Sequence, residues 1–133
     1  MDYEIPKTWE EVFEQVNQIG KNLRSDAFAK SFSIRSEYEK SLAVATGCYQ
    51  FLVVEYKKYR ALKENKEVEK YVALKESSDG KFISAAADRE ASLFVAKDRY
   101  YRDLLEGHVL GSEALINTLK KFIDSDKKEE KYS

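Results

Sequence analysis

Apolar residues recur every three or four positions along most of the chain. This is the spacing of one face of an α-helix, whereas a half-buried strand alternates at every second position. The 133 residues include one proline, Pro6, and five glycines, so little interrupts long helices. The pattern predicts an all-α fold: a long antiparallel helical hairpin with an additional N-terminal amphipathic helix.

The first helix is predicted at about residues 8–24. It opens with Thr8-Trp-Glu-Glu11, a capping-box sequence in which the threonine hydroxyl and the glutamate carboxylate each bond the other residue's backbone amide. Apolar side chains then share one face, and we expect this face to form an oligomer or partner interface, because an apolar stripe needs a covering surface. Its residues are Trp9, Val12, Phe13, Val16 and Ile19.

The second helix is predicted at about residues 33–75, after a connection near residues 25–33. Its apolar and aromatic residues keep a heptad spacing, with Leu42, Tyr49 and Tyr56 at equivalent positions. A heptad stripe of this kind requires a facing helix. The third helix of the hairpin is expected to supply it.

The third helix is predicted at about residues 84–123. The turn sequence Ser77-Ser-Asp-Gly80 precedes it, and Asp-Gly tolerates positive φ angles. The residues on either side of the turn form a helical tip in one interpretation and a small β-hairpin in the other. The helices make one domain over residues 1–123, and the charged residues 124–133 are expected to be a flexible tail.

Folding the hairpin at this turn predicts which residues of the two long helices face each other. Gly47 then lies opposite Gly111, and Tyr49 lies opposite Gly107, so the backbones approach closely where side chains are small. The same alignment brings Tyr56 near Tyr101. We therefore expect close helix packing at the glycines.

The formal net charge is −1, from 23 Lys and Arg against 24 Asp and Glu, which excludes a uniformly basic nucleic-acid-binding protein. The charge is distributed unevenly, however. Residues 57–102 carry 12 basic and 8 acidic side chains, a net charge of +4, whereas the segments before and after carry −3 and −2. A surface that binds nucleic acid is therefore expected in the middle of the chain.

Basic and aromatic residues alternate in this middle segment. Lys and Arg neutralise phosphates and bases stack on exposed rings, so the combination is typical of proteins that bind single-stranded nucleic acid. The predicted nucleic-acid-binding residues are Lys57, Lys58, Arg60, Lys63, Lys97, Arg99, Arg102, Tyr59 and Tyr100. Two other interpretations fit the same residues: the tyrosines pack between the helices beneath solvated basic side chains, or the patch binds a protein.

Catalysis is not expected, because one cysteine and one histidine are too few for a metal site or a nucleophile–base pair. Cys48 and His108 are instead expected on buried helix faces, and no cofactor or metal is predicted. The N-terminus is acidic, and the longest apolar run, Leu42 to Val54, is too short to cross a membrane. We expect a cytoplasmic protein without a membrane partner.

Three segments occur in a recognisable order. They are the basic helix Tyr56-Lys-Lys-Tyr-Arg-Ala-Leu-Lys63, a helix after the polar tip that opens with Ala85-Ala-Ala-Asp-Arg-Glu-Ala91, and the closing run Ser112-Glu-Ala-Leu-Ile-Asn-Thr-Leu-Lys-Lys-Phe122. In the order of these segments and in their residue types, residues about 35–123 resemble the UvsY-like recombination mediator proteins of tailed bacteriophages. The N-terminal helix lies outside the resemblance.

The resemblance implies a non-enzymatic protein that helps to load a RecA-type recombinase onto single-stranded DNA coated by a single-strand binding protein. It also implies a homo-oligomer whose hairpin contacts the DNA, in the host cell cytoplasm if the protein is phage-encoded. The residues themselves leave an alternative open, which is a helical-hairpin interaction, scaffold or assembly protein that does not bind nucleic acid.

Overall fold

The computed structural model describes residues 3–25 and 34–132, and within these ranges the chain forms four α-helices and no strand. The helices are α1 (Lys7–Leu23), α2 (Ile34–Glu76), α3 (Ser84–Phe94) and α4 (Ala96–Tyr132). The predicted all-α helical-hairpin fold with a shorter N-terminal helix is confirmed. Most of the predicted connection, residues 26–33, lies outside the described residues.

The helices form two compact units. Unit 1 joins α1 and the first part of α2, up to Leu52, with the last part of α4, from His108 onward. Unit 2 comprises Val53–Gly107. The sequence predicts one domain over residues 1–123. In the structure α2 and α4 each contribute residues to both units.

The first turn of α1 lacks the predicted capping box. Pro6 is the N-cap residue, with φ −55° and ψ 138°, and no side chain caps the helix. The Pro6 carbonyl accepts the first amide bonds, from Trp9 at 3.0 Å and from Glu10 at 3.2 Å. Pro6 therefore occupies the N-cap position that the capping-box sequence assigns to Thr8. The helix begins at Lys7, and Thr8 is an exposed residue inside the first turn.

The core of unit 1 lies where α1, α2 and α4 meet. Its buried residues are Ile19, Ala45, Ile116 and Leu119, and Leu23, Tyr38, Leu42, Tyr49 and Leu115 pack around them. Tyr38 of α2 also packs against Phe122 of α4, with ring centroids 5.4 Å apart. These contacts join residues early in α2 to residues late in α4, as an antiparallel hairpin requires.

The apolar face of α1 belongs to this core. Trp9, Phe13, Val16 and Ile19 are buried, and Val12 is half-buried. The structure therefore corrects the prediction that this face forms an oligomer or partner interface. The hairpin of the same chain supplies the covering surface that the stripe requires, so no second molecule is needed there.

α2 and α3 are joined by a tight turn over residues 77–83. Asp79 and Gly80 have positive φ angles of 47° and 81°, as the Asp-Gly sequence predicts. The hydroxyls of Ser77 and Ser78 donate to carbonyls in the last turn of α2, at 3.3 and 2.8 Å, and so satisfy acceptors that the helix end leaves open. Helices flank the turn directly, with α2 ending at Glu76 and α3 beginning at Ser84, and the described residues on either side form no β-hairpin.

The predicted third helix is interrupted at Val95. This residue has φ −103° and ψ 18° and is fully buried, and it separates α3 from α4. The apolar pattern does not show the break because neither glycine nor proline marks it. Phe94, the residue before the break, is 57% exposed.

The two long helices face each other differently from the predicted alignment. Tyr59, rather than Tyr56, packs against Tyr101, a difference of about one helical turn. The predicted close packing at Gly47, Gly107 and Gly111 is wrong. All three glycines are exposed, and a methyl group added at each would meet no atom within 4 Å.

α4 continues to Tyr132, through the segment that the sequence predicts to be a flexible tail. Ile123, directly before this segment, is buried. Asp124 and Lys128 then follow at a spacing of four residues, which supports an exposed helix through attraction of opposite charges. High charge alone therefore does not end this helix.

Candidate nucleic-acid interface

Three tyrosines and two lysines of unit 2 form one continuous cluster on α2 and α4. The Tyr59 ring meets the Tyr101 ring edge-on with centroids 5.3 Å apart, and the Tyr100 ring lies 5.8 Å from that of Tyr101. The ammonium groups of Lys58 and Lys97 each lie 5.7 Å from a ring centroid, that of Tyr59 and that of Tyr101 respectively. We call these five residues the tyrosine–lysine cluster.

The cluster has a buried base and an exposed rim. Tyr101 is buried and Tyr59 is half-buried, whereas Tyr100 is 36% exposed and both lysines are exposed. Cations above aromatic faces at such sites gain about 0.5–1 kcal/mol, which restrains the lysines near the rings. The arrangement presents two positive charges and one accessible aromatic ring on the same surface.

The Tyr59 phenol is held in its neutral form. Burial raises its pKa above the usual value, and the negative charge of Glu55, the neighbouring Tyr101 and the Asp98 carboxylate act in the same direction, while Lys97 opposes them. A neutral phenol adds no negative charge to the surface at physiological pH. The two lysines therefore set the charge contributed by the cluster itself.

Lys57, Lys58 and Lys97 make no ion pair with any carboxylate in the described part of the chain. Their charges are therefore available to an external anion. Lys57 is two positions before Tyr59, a rotation of about 200° around the helix, so it lies outside the tyrosine–lysine cluster. Of these three predicted binding residues, Lys58 and Lys97 lie over aromatic rings and Lys57 does not.

Two other predicted binding residues of α2 form ion pairs with carboxylates of the same helix. Arg60 lies 3.4 Å from Glu64, and Lys63 lies 3.0 Å from Glu67. The Lys63 side chain is also largely buried, with 17% of its surface exposed. Carboxylates four positions away on the same helix offset the charges of both side chains, so a phosphate would have to displace Glu64 or Glu67 to bind them.

The two predicted binding arginines of α4 also have partners within the chain. The Arg99 guanidinium donates to the Ser92 carbonyl at 2.8 Å and to the Ser92 hydroxyl, and it lies 3.9 Å from the Glu67 carboxylate. It therefore caps the C-terminal end of α3, where a positive charge is favourable. Arg102 lies 2.7 Å from Asp103. Neither arginine is an unpaired cation of the kind that the sequence pattern predicts.

The sequence analysis did not single out the ion pair that joins α2 to α4 in unit 2. Lys66 Nζ lies 3.2 Å from Asp98 Oδ2 and 3.4 Å from Oδ1, and Asp98 is only 8% exposed. The heptad pattern indicates that Lys66 is part of the packed face, since it follows Leu52 and Tyr59 at seven-residue intervals. A lysine on such a face requires an acidic partner.

The charge of the folded unit is smaller than that of the basic segment. Residues 53–107 carry 12 basic and 11 acidic side chains, a net charge of +1. The net charge of +4 over residues 57–102 excludes Glu55, Asp103 and Glu106, which fold into the same unit. Attraction to a polyanion must therefore come from the local placement of unpaired lysines rather than from the overall charge.

Cys48 and His108 lie in unit 1, outside the candidate site. The Cys48 thiol donates to Gln15 Oε1 at 3.2 Å, and burial raises its pKa. The His108 ring stacks on Phe13 with centroids 3.6 Å apart and planes 7° apart, and burial lowers its pKa. Residues 3–25 and 34–132 bring together no group of three His, Cys, Asp or Glu side chains able to hold a metal.

Unit 2 also exposes large apolar side chains that the sequence analysis did not single out. They are Val54, Val68 and Val72 on α2, Ile83 before α3, and Leu93 and Phe94 at the end of α3. Of these residues, Val68 lines a groove of about 330 Å³ together with Glu67, Tyr71, Asp88 and Ala91. Exposed apolar side chains beside a groove occur at sites that bind another protein.

No helix in the described ranges has the length and apolar content required to span a membrane. Among known proteins, no family model, no curated protein and no solved structure matches this chain.

Proposed function

We propose that the protein is a non-enzymatic single-stranded DNA-binding protein that contacts DNA through the tyrosine–lysine cluster. The observation that carries the proposal is the position of Lys58 and Lys97 over the rings of Tyr59 and Tyr101, beside the exposed ring of Tyr100. The two lysines would neutralise phosphates while a base stacks on Tyr100.

Several features favour single strands over duplexes as the ligand. An aromatic ring can stack only on a base whose face is accessible, and bases in a duplex are already stacked on their neighbours. The buried Tyr101 and the half-buried Tyr59 hold the cluster in one geometry, so little conformational freedom is lost on binding. Since the unit has a net charge of only +1, the salt dependence of binding is set by the unpaired lysines, at about 0.7 in the slope per phosphate contact for single strands.

The mediator role follows from the sequence resemblance. In that role the protein helps to load a RecA-type recombinase onto DNA covered by a single-strand binding protein, and these two proteins are its partners. A homo-oligomer would repeat the small cluster along one DNA strand and raise the overall affinity through avidity. The cytoplasm is where such a reaction would take place.

Fluorescence anisotropy with a labelled oligothymidine tests DNA binding. We expect binding at low ionic strength that weakens as salt rises, and weaker binding to a duplex of the same length at each salt concentration. Absence of salt-sensitive binding to the oligothymidine overturns the proposal. Equal affinity for the duplex overturns the role of Tyr100 in stacking.

The mediator role has a separate test. DNA-dependent ATP hydrolysis by a RecA-type recombinase is followed on single-stranded DNA that is already covered by single-strand binding protein. We expect the protein to shorten the lag before hydrolysis begins, and a lag unaffected at every concentration overturns the mediator role while leaving DNA binding intact.

A second candidate function is a scaffold that binds proteins and not DNA, and the exposed apolar residues of unit 2 favour it. The two functions are separated by paired variants. If the protein binds DNA, Lys58→Glu with Lys97→Glu abolishes binding and Val68→Glu leaves it intact. If the protein is a scaffold, Val68→Glu abolishes binding of its partner protein and the double lysine variant leaves it intact. Val16→Glu does not separate them, because Val16 is buried in unit 1 and its replacement unfolds that core.

A further inference from the structure

Asp79 and Gly80 form the centre of the turn that joins α2 to α3. The Lys81 amide donates to the Ser78 carbonyl at 2.9 Å and so closes a four-residue turn around them. The two central residues have positive φ angles of 47° and 81°, the sign that a type I′ turn requires at both positions. Both residues are exposed, so solvent reaches the peptide bond between them.

An aspartate followed by glycine can rearrange its own backbone. A bond between the aspartate Cγ and the nitrogen of the next residue closes a five-membered ring, and the nitrogen must turn toward Cγ for this bond to form. A side chain on the next residue hinders the rotation, and glycine has none. Asp79-Gly80 is the only aspartate–glycine pair in the 133 residues.

The structure leaves the Gly80 nitrogen free to react. Within the described residues its N–H donates to no acceptor, and the Asp79 carboxylate pairs with no cation. A methyl group added at Gly80 would meet no atom within 4 Å, so the space around this nitrogen is open. Attack of the nitrogen on Cγ therefore breaks neither a backbone hydrogen bond nor a packing contact.

The other aspartates in the described ranges are held in helices. They are Asp88 in α3, and Asp98, Asp103, Asp124 and Asp126 in α4. Inside a helix the amide of the next residue donates to the carbonyl four positions before it, and ring closure would break that bond. Each of these aspartates also precedes a residue with a side chain. The structure thus distinguishes the turn aspartate from the helical ones.

We propose that Asp79 is a site of spontaneous isomerisation to isoaspartate. The Gly80 nitrogen attacks Cγ of the protonated carboxyl group, a C–N bond forms, and the carboxyl hydroxyl leaves with the amide hydrogen as water. The resulting succinimide takes up one water molecule. Hydrolysis at Cγ restores aspartate, whereas hydrolysis at the backbone carbonyl leaves the chain connected through Cγ, which is isoaspartate. Water is the only co-reactant, and the net composition of the chain is unchanged.

Isoaspartate lengthens the backbone of the turn by one atom, because the chain then passes through Cβ and Cγ, and it places a carboxylate on Cα. The bond from Lys81 to Ser78 closes the turn across this position. The residue after Lys81 is Phe82, whose ring meets that of Tyr71 edge-on with centroids 5.5 Å apart. Isomerisation therefore alters the connection between α2 and α3.

Ageing of the folded protein at mildly acidic pH, in water labelled with a heavy oxygen isotope, tests the proposal. Isoaspartate is detected with a protein isoaspartyl methyltransferase and radiolabelled S-adenosylmethionine, and then located by peptide mapping. We expect methylation and heavy oxygen in the peptide that contains Asp79. The peptide that contains Asp124, which is also exposed, is the internal control and should gain neither. Absence of isoaspartate at Asp79 overturns the proposal, as does an equal amount at Asp124.

A pair of asparagine variants tests the role of the turn. Asparagine closes the same ring with loss of ammonia, and the product gains one negative charge that ion-exchange chromatography resolves. We expect Asp79→Asn to deamidate many times faster than Asp124→Asn, after circular dichroism has confirmed that both are folded. Equal rates in the two variants overturn the proposal. Neither experiment contains DNA, so the inference does not depend on the proposed function.

Discussion

The edge of the Tyr59 ring packs against the ring of Tyr101, with centroids 5.3 Å apart and planes at 72°. This contact joins α2 to α4 in unit 2 and holds two rings beneath the ammonium groups of Lys58 and Lys97. It also fixes the position of Tyr100, whose ring lies 5.8 Å from that of Tyr101. The proposed DNA-binding surface depends on this pair of buried and half-buried rings.

The exposed ring of Tyr100 is expected to stack on a base. Tyr100→Ala should weaken oligothymidine binding by about 1–3 kcal/mol, or roughly 5-fold to 150-fold. Tyr100→Trp preserves an aromatic face and should retain most of the affinity. Anisotropy titrations at one low salt concentration compare the three proteins, and equal affinity of the alanine variant would exclude stacking at this position.

Arg99 is expected to stabilise the fold rather than to bind DNA. Its guanidinium bonds the Ser92 carbonyl at 2.8 Å, so Arg99→Gln should lower the free energy of unfolding by about 1–3 kcal/mol. Urea unfolding followed by circular dichroism measures this loss. The salt dependence of DNA binding should not change, and a decrease in that dependence would assign Arg99 to the interface instead.

The exposed helical glycines are expected to limit stability. Gly47→Ala, Gly107→Ala and Gly111→Ala should each raise the free energy of unfolding by about 0.5–1 kcal/mol, because an added methyl group meets no neighbouring atom within 4 Å. Gly80→Ala is the control with the opposite sign, since its φ of 81° disfavours any side chain. Destabilisation by Ala at position 47 or 111 would indicate the close helix packing that the sequence predicted.

The single histidine is expected to make stability depend on pH. Burial lowers the pKa of His108 in the folded protein, whereas the unfolded chain binds the proton at about pH 6.5. The unfolded state therefore holds more protons below about pH 6.5, and stability should fall as pH decreases through that value and level off above it. Urea midpoints between about pH 8 and pH 5.5 measure the slope. His108→Gln should be much flatter over the same range.

Helix positions were predictable from the sequence because they depend on local spacing. Trp9, Phe13, Val16 and Ile19 mark one face of α1, and all four are buried. The Asp-Gly turn was predictable for the same reason, since its positive φ angles are a property of those residue types. The surface that covers each apolar stripe depends on tertiary packing, so the role of the α1 face was not predictable.

The alignment of α2 with α4 could not be read from the pattern. The turn extends from residue 77 to residue 83 and so is centred on Gly80, whereas the sequence marks only Ser77 to Gly80. Tyr59, rather than Tyr56, therefore lies opposite Tyr101. Part of the candidate site could nevertheless be predicted from the sequence. Glutamates four residues after Arg60 and Lys63 indicate pairing along the helix, whereas the bond between Arg99 and Ser92 requires the structure.

The most direct test compares the salt dependence of single-stranded DNA binding in two double variants of equal charge. Lys58→Gln with Lys97→Gln removes the unpaired lysines of the cluster, and Arg60→Gln with Arg102→Gln removes two cations that are held by Glu64 and Asp103. The first variant should reduce the slope of log Kobs against log salt by about 1.4, since each phosphate contact contributes about 0.7 for single strands. The second should leave the slope near that of wild type, and an equal reduction in both variants, or none in the first, would contradict the proposed interface.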